Sequence, residues 1–377
     1  MKNILILTIT IGILSCLLFS WYFLLPLYLK ELGASDKMIN VAYFIFNLIF
    51  YIGQVPGGIL SDKFGRKPII AITTIVYAFS GYGIHLSKNW IEAFIFYSIG
   101  CLSSSIQLPA IYAMTFESQK HKGLSFSLTS FSYNLGLALG PLIGAFLLKK
   151  TDIKGLLIIY SIAAFIIGIT RIILLEETLS KRNLDPREKA SLLRGKLFLF
   201  SGGIFFFLSI TLTINGPYIS LYLKESLNLL EKDINMIFTK IGITSALTCL
   251  AFSKIVGHID PAKTWAIASL LHPFLLFLWA LLRAPLFILI LSTIFVEIAY
   301  IVYPILASKA FPEKLRGKGL GLFGFVTGGM GSLSPLLLNL FNEKPPLPLP
   351  FVLATIFGFL AFWFIIKAGG DFKNEHQ

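Results

Sequence analysis

Leu27-Tyr28-Leu29-Lys30-Glu31 closes an apolar run that starts at Ile4, and 194 positions later the same five residues return as Leu221-Tyr222-Leu223-Lys224-Glu225. At the same offset Lys122-Gly123 meets Arg316-Gly317 and Pro141 meets Pro335, while Ile39-Asn40 meets Ile234-Asn235 one residue out of step. Agreement between a five-residue match and distant landmarks marks the chain as a duplication, and parallel repeats of helical bundles are an architecture of membrane carriers.

Of the 377 residues 56% are hydrophobic and only 14% charged, more apolar surface than a soluble domain of this size can hide from water. Helical runs long enough to cross a hydrocarbon core of about 30 Å recur throughout. They fall at Ile4 to Leu29, Met38 to Leu60, Pro68 to Leu86, Trp90 to Thr115, Leu124 to Leu148 and Leu156 to Leu175. After a polar stretch come Leu197 to Leu223, Ile234 to Val256, Thr264 to Leu282, Pro285 to Ala307, Leu320 to Phe341 and Leu347 to Ile366. Barrel strands would alternate apolar and polar residues, whereas these runs are continuous. The expected fold is therefore all-α, twelve transmembrane helices in two pseudo-symmetric six-helix bundles, 1–175 and 197–377, joined by a linker, 176–196. Asp185-Pro186 has the residues of a helix start, so the linker holds either a short surface helix or a flexible connection.

The net charge of +13 is mostly topological. With the N-terminus inside, the inner segments hold twenty Lys and Arg residues and the outer loops ten, with Arg171 and Lys240 inside spans. Both termini are accordingly expected in the cytoplasm. The apolar run after Lys2 is too long for a cleaved signal segment and reads as a retained first helix. Cys16, Cys101 and Cys249 lie far apart inside apolar runs, without the spacing of a disulfide framework or a zinc site. No metal and no cofactor is expected.

After the second span the chain reads Gly57-Gly58-Ile59-Leu60-Ser61-Asp62-Lys63-Phe64-Gly65-Arg66-Lys67-Pro68. Gly58, Leu60, Asp62, Gly65, Arg66 and Lys67 resemble the signature loop of the major facilitator superfamily, G-x-L-x-D-r-x-G-r-k. Length, layout and repeat extend the resemblance over essentially the whole chain. Glycines permit a tight turn and close helix approach. The resemblance implies that Asp62 contacts the positive N-terminal end of the eleventh helix, near Gly317, and holds one transport conformation. An anion so placed contributes roughly 0.3 to 1 kcal/mol. Arg66 and Lys67 either share in that network or anchor the loop to anionic lipid.

In the fifth span Gly136, Gly140, Pro141 and Gly144 look like the G-x-x-x-G-P-x-x-G motif of exporters that exchange solute against protons. A helix-packing stripe is the plainer reading of the same glycines, and also of Gly317, Gly321, Gly324 and Gly328 in the second half. Two departures bear on coupling: Phe96 stands where the family often places an Arg in the fourth span, and no acid precedes Glu31 in the first.

Glu297 lies near the middle of the tenth span, where an ionised group costs about 2.5 to 3.5 kcal/mol on insertion scales. It reads either as a proton-binding or cation-pairing carboxyl or as a hydrogen-bonded structural one. The resemblance implies a cavity lined by spans one, four, seven and ten, giving Trp21, Gln107, Asn215, Glu297 and Tyr300 as candidates; any of them could instead satisfy a neighbouring helix. Such a pocket suits an amphipathic or weakly basic solute. Arg171, near the inner end of the sixth span, reads as snorkelling to the interface, Lys240 as snorkelling or pairing with an acid, and His272 as a packed histidine or a proton relay.

No H-E-x-x-H, G-x-S-x-G or G-x-x-x-x-G-K-[ST] motif is present in the sequence, so an intramembrane enzyme and an ATP-driven pump are set aside. The expected function is secondary transport of a small-molecule substrate across the cytoplasmic membrane, with protons as the coupling ion and export of drug-like compounds. An uptake carrier for a sugar, amino acid or organic acid, and a substrate-sensing receptor on a transporter fold, stay open. The expected partners are the substrate, protons and the lipid bilayer, with no nucleic acid, and the chain is expected to act as a monomer.

Overall fold

The computed structural model of the protein describes residues 2–117, 122–179, 197–252, 255, 258–309, 316–340 and 348–374. Asp185-Pro186 lies outside them. Among the described residues the regular structure is helical. Eight helical stretches among the described residues, the first four and the sixth, ninth, tenth and twelfth expected spans, are long and apolar enough to cross a membrane. The fifth, seventh and eleventh contribute shorter apolar helices, Phe131–Leu147, Leu197–Thr211 and Leu322–Leu338. The helix of the eighth, Glu231–Phe252, carries Glu231 and Asp233 in its first turn.

The helices are α1 (Lys2–Phe19), α2 (Leu25–Glu31), α3 (Asp36–Ile52), α4 (Gln54–Phe64), α5 (Arg66–Leu86), α6 (Trp90–Glu117), α7 (Lys122–Leu147) and α8 (Ile153–Leu174), then α9 (Leu197–Thr211), α10 (Tyr218–Glu225), α11 (Glu231–Phe252), α12 (Pro261–Leu282), α13 (Leu286–Lys309), α14 (Arg316–Gly331), α15 (Ser334–Leu338) and α16 (Leu349–Asn374). Polar side chains start several of them. Ser35 accepts from the Met38 N–H at the head of α3, Asp152 from Gly155 at the head of α8, and Asp260 from Ala262 and Lys263 at the head of α12, where Pro261 takes the first position. Large apolar side chains such as Phe79, Ile173 and Phe359 stay exposed, as a lipid-facing surface requires.

The chain forms two compact units, Met1–Lys181 with Ser220–Ala246, and Arg182–Ile219 with Leu247–Gln377. In the first, α1 packs on α7 and α8, and α5 on α6 and α8. In the second, α9 packs on α14 and α16, and α12 on α13 and α16. These are the same pairings, first span with fifth and sixth and third with fourth and sixth, so the sequence duplication reappears as a duplicated packing scheme.

Two expectations change. The signature segment is helical through Phe64 rather than a loop, and the turn is confined to Gly65, whose φ of 104° suits glycine. Arg171 does not snorkel: it is 0% exposed, with Nε donating to Thr10 Oγ1 at 3.1 Å, Nη1 to Thr74 Oγ1 at 2.6 Å, and Nη2 without a hydrogen-bond partner. Side chains on a helix lean toward its N-terminus, so Arg171, three residues from the C-terminal end of α8, is aimed back into the bundle. An interior cation bonded only to neutral hydroxyls gives up hydration without a counter-charge. Arg171→Met is therefore expected to leave the melting temperature of the detergent-purified protein unchanged or higher; a fall of several degrees would show that the guanidinium is a net stabiliser.

Candidate functional site

The first and seventh spans are both interrupted, at corresponding places in the duplication. Between α1 and α2 the chain passes through Ser20, Trp21 and a short 3-10 turn, Tyr22–Leu24; between α9 and α10 it passes through Leu212 to Pro217. Trp21 and Asn215 are equivalent at the 194-residue offset. Interrupted helices at matching positions of two repeats are the strongest pointer to a carrier's binding region, because broken helix exposes polar backbone that only a cavity or a polar neighbour can satisfy.

In the second unit the seventh-span break meets α13. Asn215 Nδ2 donates to Tyr300 Oη at 3.1 Å, and Glu297, one turn before Tyr300, is half-buried and accepts from the Cys249 thiol at 3.5 Å. The ring of Tyr300 joins an aromatic group made by Phe206, Phe207, Trp265, Tyr303 and Phe323. Three of the five expected cavity residues thus come together, and the aromatic wall beside them is a feature that residue-by-residue reading missed. Phe206-Phe207 and Tyr300 with Tyr303 were its visible signal. A carboxylate among aromatic faces can hold an apolar cation by charge and by cation–π attraction.

The other two lie in the first unit. Trp21 is buried edge-on against Tyr97 and Tyr160, and its indole Nε1 has no hydrogen-bond partner. Gln107 is also buried; its amide nitrogen donates to Ile70 O, Thr73 Oγ1 and Thr74 Oγ1 at 2.8 to 3.0 Å. That amide joins α6 to α5, the structural role open to it from sequence.

The signature residues form a clamp at one end of the first unit. Arg66 is buried; its Nη1 donates to Asp62 at 2.5 Å and to Ser61 at 2.8 Å, and Nε and Nη2 grip both oxygens of Glu117 at 3.4 and 3.1 Å. The lipid-anchor reading therefore fails for Arg66, because its guanidinium is spent on carboxylates of α4 and α6. The Glu177 carboxylate accepts from the N–H groups of Arg66 and Lys67, capping α5 from more than a hundred residues away, and from Thr178 and Leu179. A Cβ at Gly65 would lie 2.4 Å from Glu177 Oε2, so glycine serves there for space as well as for φ. Gly58 meets nothing within 4 Å, and the close approach on this helix belongs to Gly57, over the backbone of Ile106. The start of α14 near Gly317 has surroundings outside the described residues.

At the opposite end of the same unit, the fifth-span glycines are helix contacts. Added Cβ atoms would fall 2.3 Å from Ser15 Cβ at Gly136, 2.5 Å from Cys16 O at Gly140 and 2.2 Å from Ser20 O at Gly144. Gly242 of α11 closes on Leu137 and Ala138 between them. In the second half the packing reading fails at Gly324, which meets nothing within 4 Å; Gly331, against Phe207, is the close contact. Segment Ser220–Ala246 seals onto the first-span break: Asn235 Nδ2 donates to Ser20 O at 2.8 Å, Ser220 Oγ to Phe23 O at 2.7 Å, and Phe238 stacks on Phe23 at 3.8 Å. The duplicated Lys-Glu pairs lie at this seam. Lys30 bonds both Asp36 and Glu225, and Lys224 bonds Glu231. A cavity of about 560 Å³ beside them is lined by Tyr28, Glu31, Asp152, Lys154, Glu231 and Lys232, a charged vestibule unlike the aromatic wall.

Apolar helices in a duplicated scheme, with helix breaks at matching places of the two halves, define a multi-pass membrane protein with the architecture of a carrier. The chain matches the Major Facilitator Superfamily model over residues 7–335, and it belongs to that family. Among curated relatives, the quinolone resistance protein NorA of Staphylococcus aureus (strain MSSA476) is 29% identical over 237 residues; the match spans 60% of this chain and 60% of the relative's length. A probable peptide/nitrate transporter of Arabidopsis thaliana is 33% identical over 96 residues, 25% of this chain and 20% of that one. Of solved structures, a D-xylose-proton symporter superposes with a TM-score of 0.72 at 18% identity, covering 97% of this chain and 98% of that one. The nucleoside transporter NupG does so with 0.76 at 15% identity, covering 97% and 99%. These two share the fold. Family members are transporters, not enzymes.

Two outcomes test the clamp and the seam. Burial opposes the charge on Glu177, but its four backbone donors outweigh it and hold the carboxyl below the usual range. Its contribution is therefore complete above the unfolded-state value of about 4.3 and is lost as pH falls through the lower folded-state value. Glu177→Gln is expected to cost about 0.5 to 2 kcal/mol at pH 7, the range of a lost helix cap, and the difference from the parent is expected to vanish in acid; a pH-independent difference in thermal melts would refute the cap. At the seam, Lys30→Glu is expected to lower transport severalfold and Lys30→Glu with Glu225→Lys to restore most of it. Equal loss in both variants would show that the pairing is incidental.

Proposed function

We propose that this transporter exports amphipathic, weakly basic compounds across the plasma membrane in exchange for protons, with both termini in the cytoplasm. The observation that carries the reading is Glu297, a half-buried carboxyl inside a span, one turn before Tyr300, which bonds Asn215 of the seventh-span break and joins the aromatic group. Maintaining an ionisable group there costs stability, and exchange of a cation for a proton gives it a use. The resemblance of the fifth-span glycines to the exporter motif and the similarity to a quinolone resistance protein point the same way.

In this reading 1–175 and 197–377 act as two halves joined by 176–196 and alternate access to a site formed by Asn215, Glu297 and Tyr300, with Trp21 as a further candidate. Gly58, Asp62, Gly65, Arg66 and Lys67 form the cytoplasmic latch, where Asp62 favours one conformation through the eleventh helix. The Lys30 and Lys224 ion pairs close the outer mouth. A proton on Glu297 releases the cation; loss of that proton readies the site for the next one. One chain suffices for this cycle, so the working unit is a monomer.

The test is a thermal-shift screen of purified protein at two pH values against lipophilic cations, sugars, amino acids and organic acids, since a ligand of the folded state raises its melting temperature. Lipophilic cations are expected to stabilise the parent less at low pH, where Glu297 is protonated, and Glu297→Gln hardly at all. Stabilisation by sugars or organic acids instead would replace export by uptake. Unchanged transport by Glu297→Gln would remove the carboxyl from the mechanism.

A further inference from the structure

His272 is 1% exposed in the middle of α12, and its ring joins the two elements of the second unit that carry the candidate site. Nδ1 lies 3.0 Å from the backbone carbonyl of Ser292 on α13; Nε2 lies 3.1 Å from Thr213 Oγ1, inside the seventh-span break. Thr213 is fully buried, and its hydroxyl also lies 3.1 Å from Ser209 O and 3.2 Å from Ile210 O, two carbonyls in the last turn of α9.

Donor and acceptor chemistry fixes the protonation pattern. A carbonyl oxygen only accepts, so Nδ1 carries a hydrogen. A buried imidazole bonded only to neutral groups is uncharged in this conformation, which leaves Nε2 as an acceptor and turns the Thr213 hydroxyl toward it. If Nε2 takes a proton, it must donate; the hydroxyl then reverses and donates to Ser209 O or Ile210 O. Both patterns satisfy every ring nitrogen. They differ in whether Thr213 tightens the end of α9 or holds the ring.

We propose that His272 is a proton-binding site of this transporter that acts through Thr213 on the seventh-span break, a positioning residue for the substrate site at Asn215 and Tyr300. The proposal deepens the proton-exchange reading above and rests on it. Protonation and deprotonation balance without another reactant: the proton comes from water on one side and leaves to the other, and no bond other than N–H changes. Because the conformation described here suits the neutral ring, binding of the proton favours one in which the break is rearranged.

The charges on the surrounding elements are few. Helix α12 has Lys263 in its first turn, with Arg283 at its C-terminal cap; α9 has no charged residue. Helix α13 has Glu297, five residues beyond Ser292, and Lys309 at its end, with the phenols of Tyr300 and Tyr303 between them. Helix α16 has Lys367, over the rings of Phe198 and Trp363, and Asp371 and Lys373 near its end. Both ring nitrogens of His272 are taken up by Ser292 O and Thr213 Oγ1, so its charge state answers to Thr213 and to water access.

The experiment uses the full chain, carrying 15N-histidine, in nanodiscs, with the His272 signal identified by its loss in His272→Gln. A neutral ring protonated on Nδ1 is expected at pH 7.5, converting to imidazolium as the pH is lowered and before the protein unfolds. A signal that stays neutral down to the pH of unfolding overturns the proposal. In proteoliposomes loaded with ethidium, His272→Gln is expected to keep equilibrium exchange within threefold while losing at least tenfold of gradient-driven transport. Thr213→Val, which keeps the shape but not the hydroxyl, is expected to move the pH profile of transport to lower pH. Parallel loss of both transport modes, or unchanged pH profiles in both variants, assigns His272 a packing role and overturns the proposal. If the parent protein moves ethidium without protons, the export reading fails separately, and the nitrogen signal still decides whether His272 titrates.

Discussion

A backbone carbonyl in hydrocarbon has no water to bond, and this one constraint governs where the chain is helical and where it can stop being so. Within the long spans a carbonyl is used four residues on, except before the interior prolines Pro109, Pro141, Pro273 and Pro304, which have no N–H. At the two interruptions the freed groups need other partners, and the structure supplies them from side chains. Ser20 O is taken by Asn235 Nδ2 and Phe23 O by Ser220 Oγ. In the seventh span Ile210 O accepts from the backbone N–H groups of Thr213 and Asn215 and lies beside the Thr213 hydroxyl. Each rescue is a hydrogen bond that can be made or broken without exposing apolar core. Carriers place their moving parts and binding groups at such points, and here Trp21, Thr213 and Asn215 all sit at one.

The two ends of the first unit solve a related problem with charge. At the signature end, Arg66 draws Asp62 and Glu117 together, while Glu177 satisfies the first N–H groups of α5. The second half reaches the same helix start by a shorter route, with Asp260 capping α12 locally. At the far end, glycine contacts bring α1, α7 and α11 together and the Lys30 pairs cover the seam. An exposed pair such as Lys2 with Glu176 contributes little by itself, whereas Arg66 binds several partners from a buried position, which gives the network more weight.

Periodic and local information was readable in the sequence: apolar runs gave the spans, the LYLKE repeat gave the duplication, and Gly65 and Glu297 stood out by their chemistry. Partner identity was not. Nothing near Arg66 announces Glu117, 51 residues away, or Glu177, 111 away. Arg171 was misjudged because its distance from the span end was weighed and the lean of its side chain was not. The seventh-span break had a signal in Asn215-Gly216-Pro217, but the first-span break at Ser20-Trp21 contains neither glycine nor proline and became visible only through its equivalence to the other. His272 looked like a lone packed histidine because its partners, Thr213 and Ser292, lie on two other spans.

The most direct measurement is of proton movement itself. Liposomes containing the purified chain and an internal pH dye would be given an acid interior and then an external lipophilic cation such as ethidium. The account requires the interior to become less acid as the cation enters, at a rate that saturates with its concentration and is absent from protein-free liposomes. Saturable uptake of the cation with no change in internal pH would contradict proton exchange, and no protein-dependent uptake would contradict the substrate class.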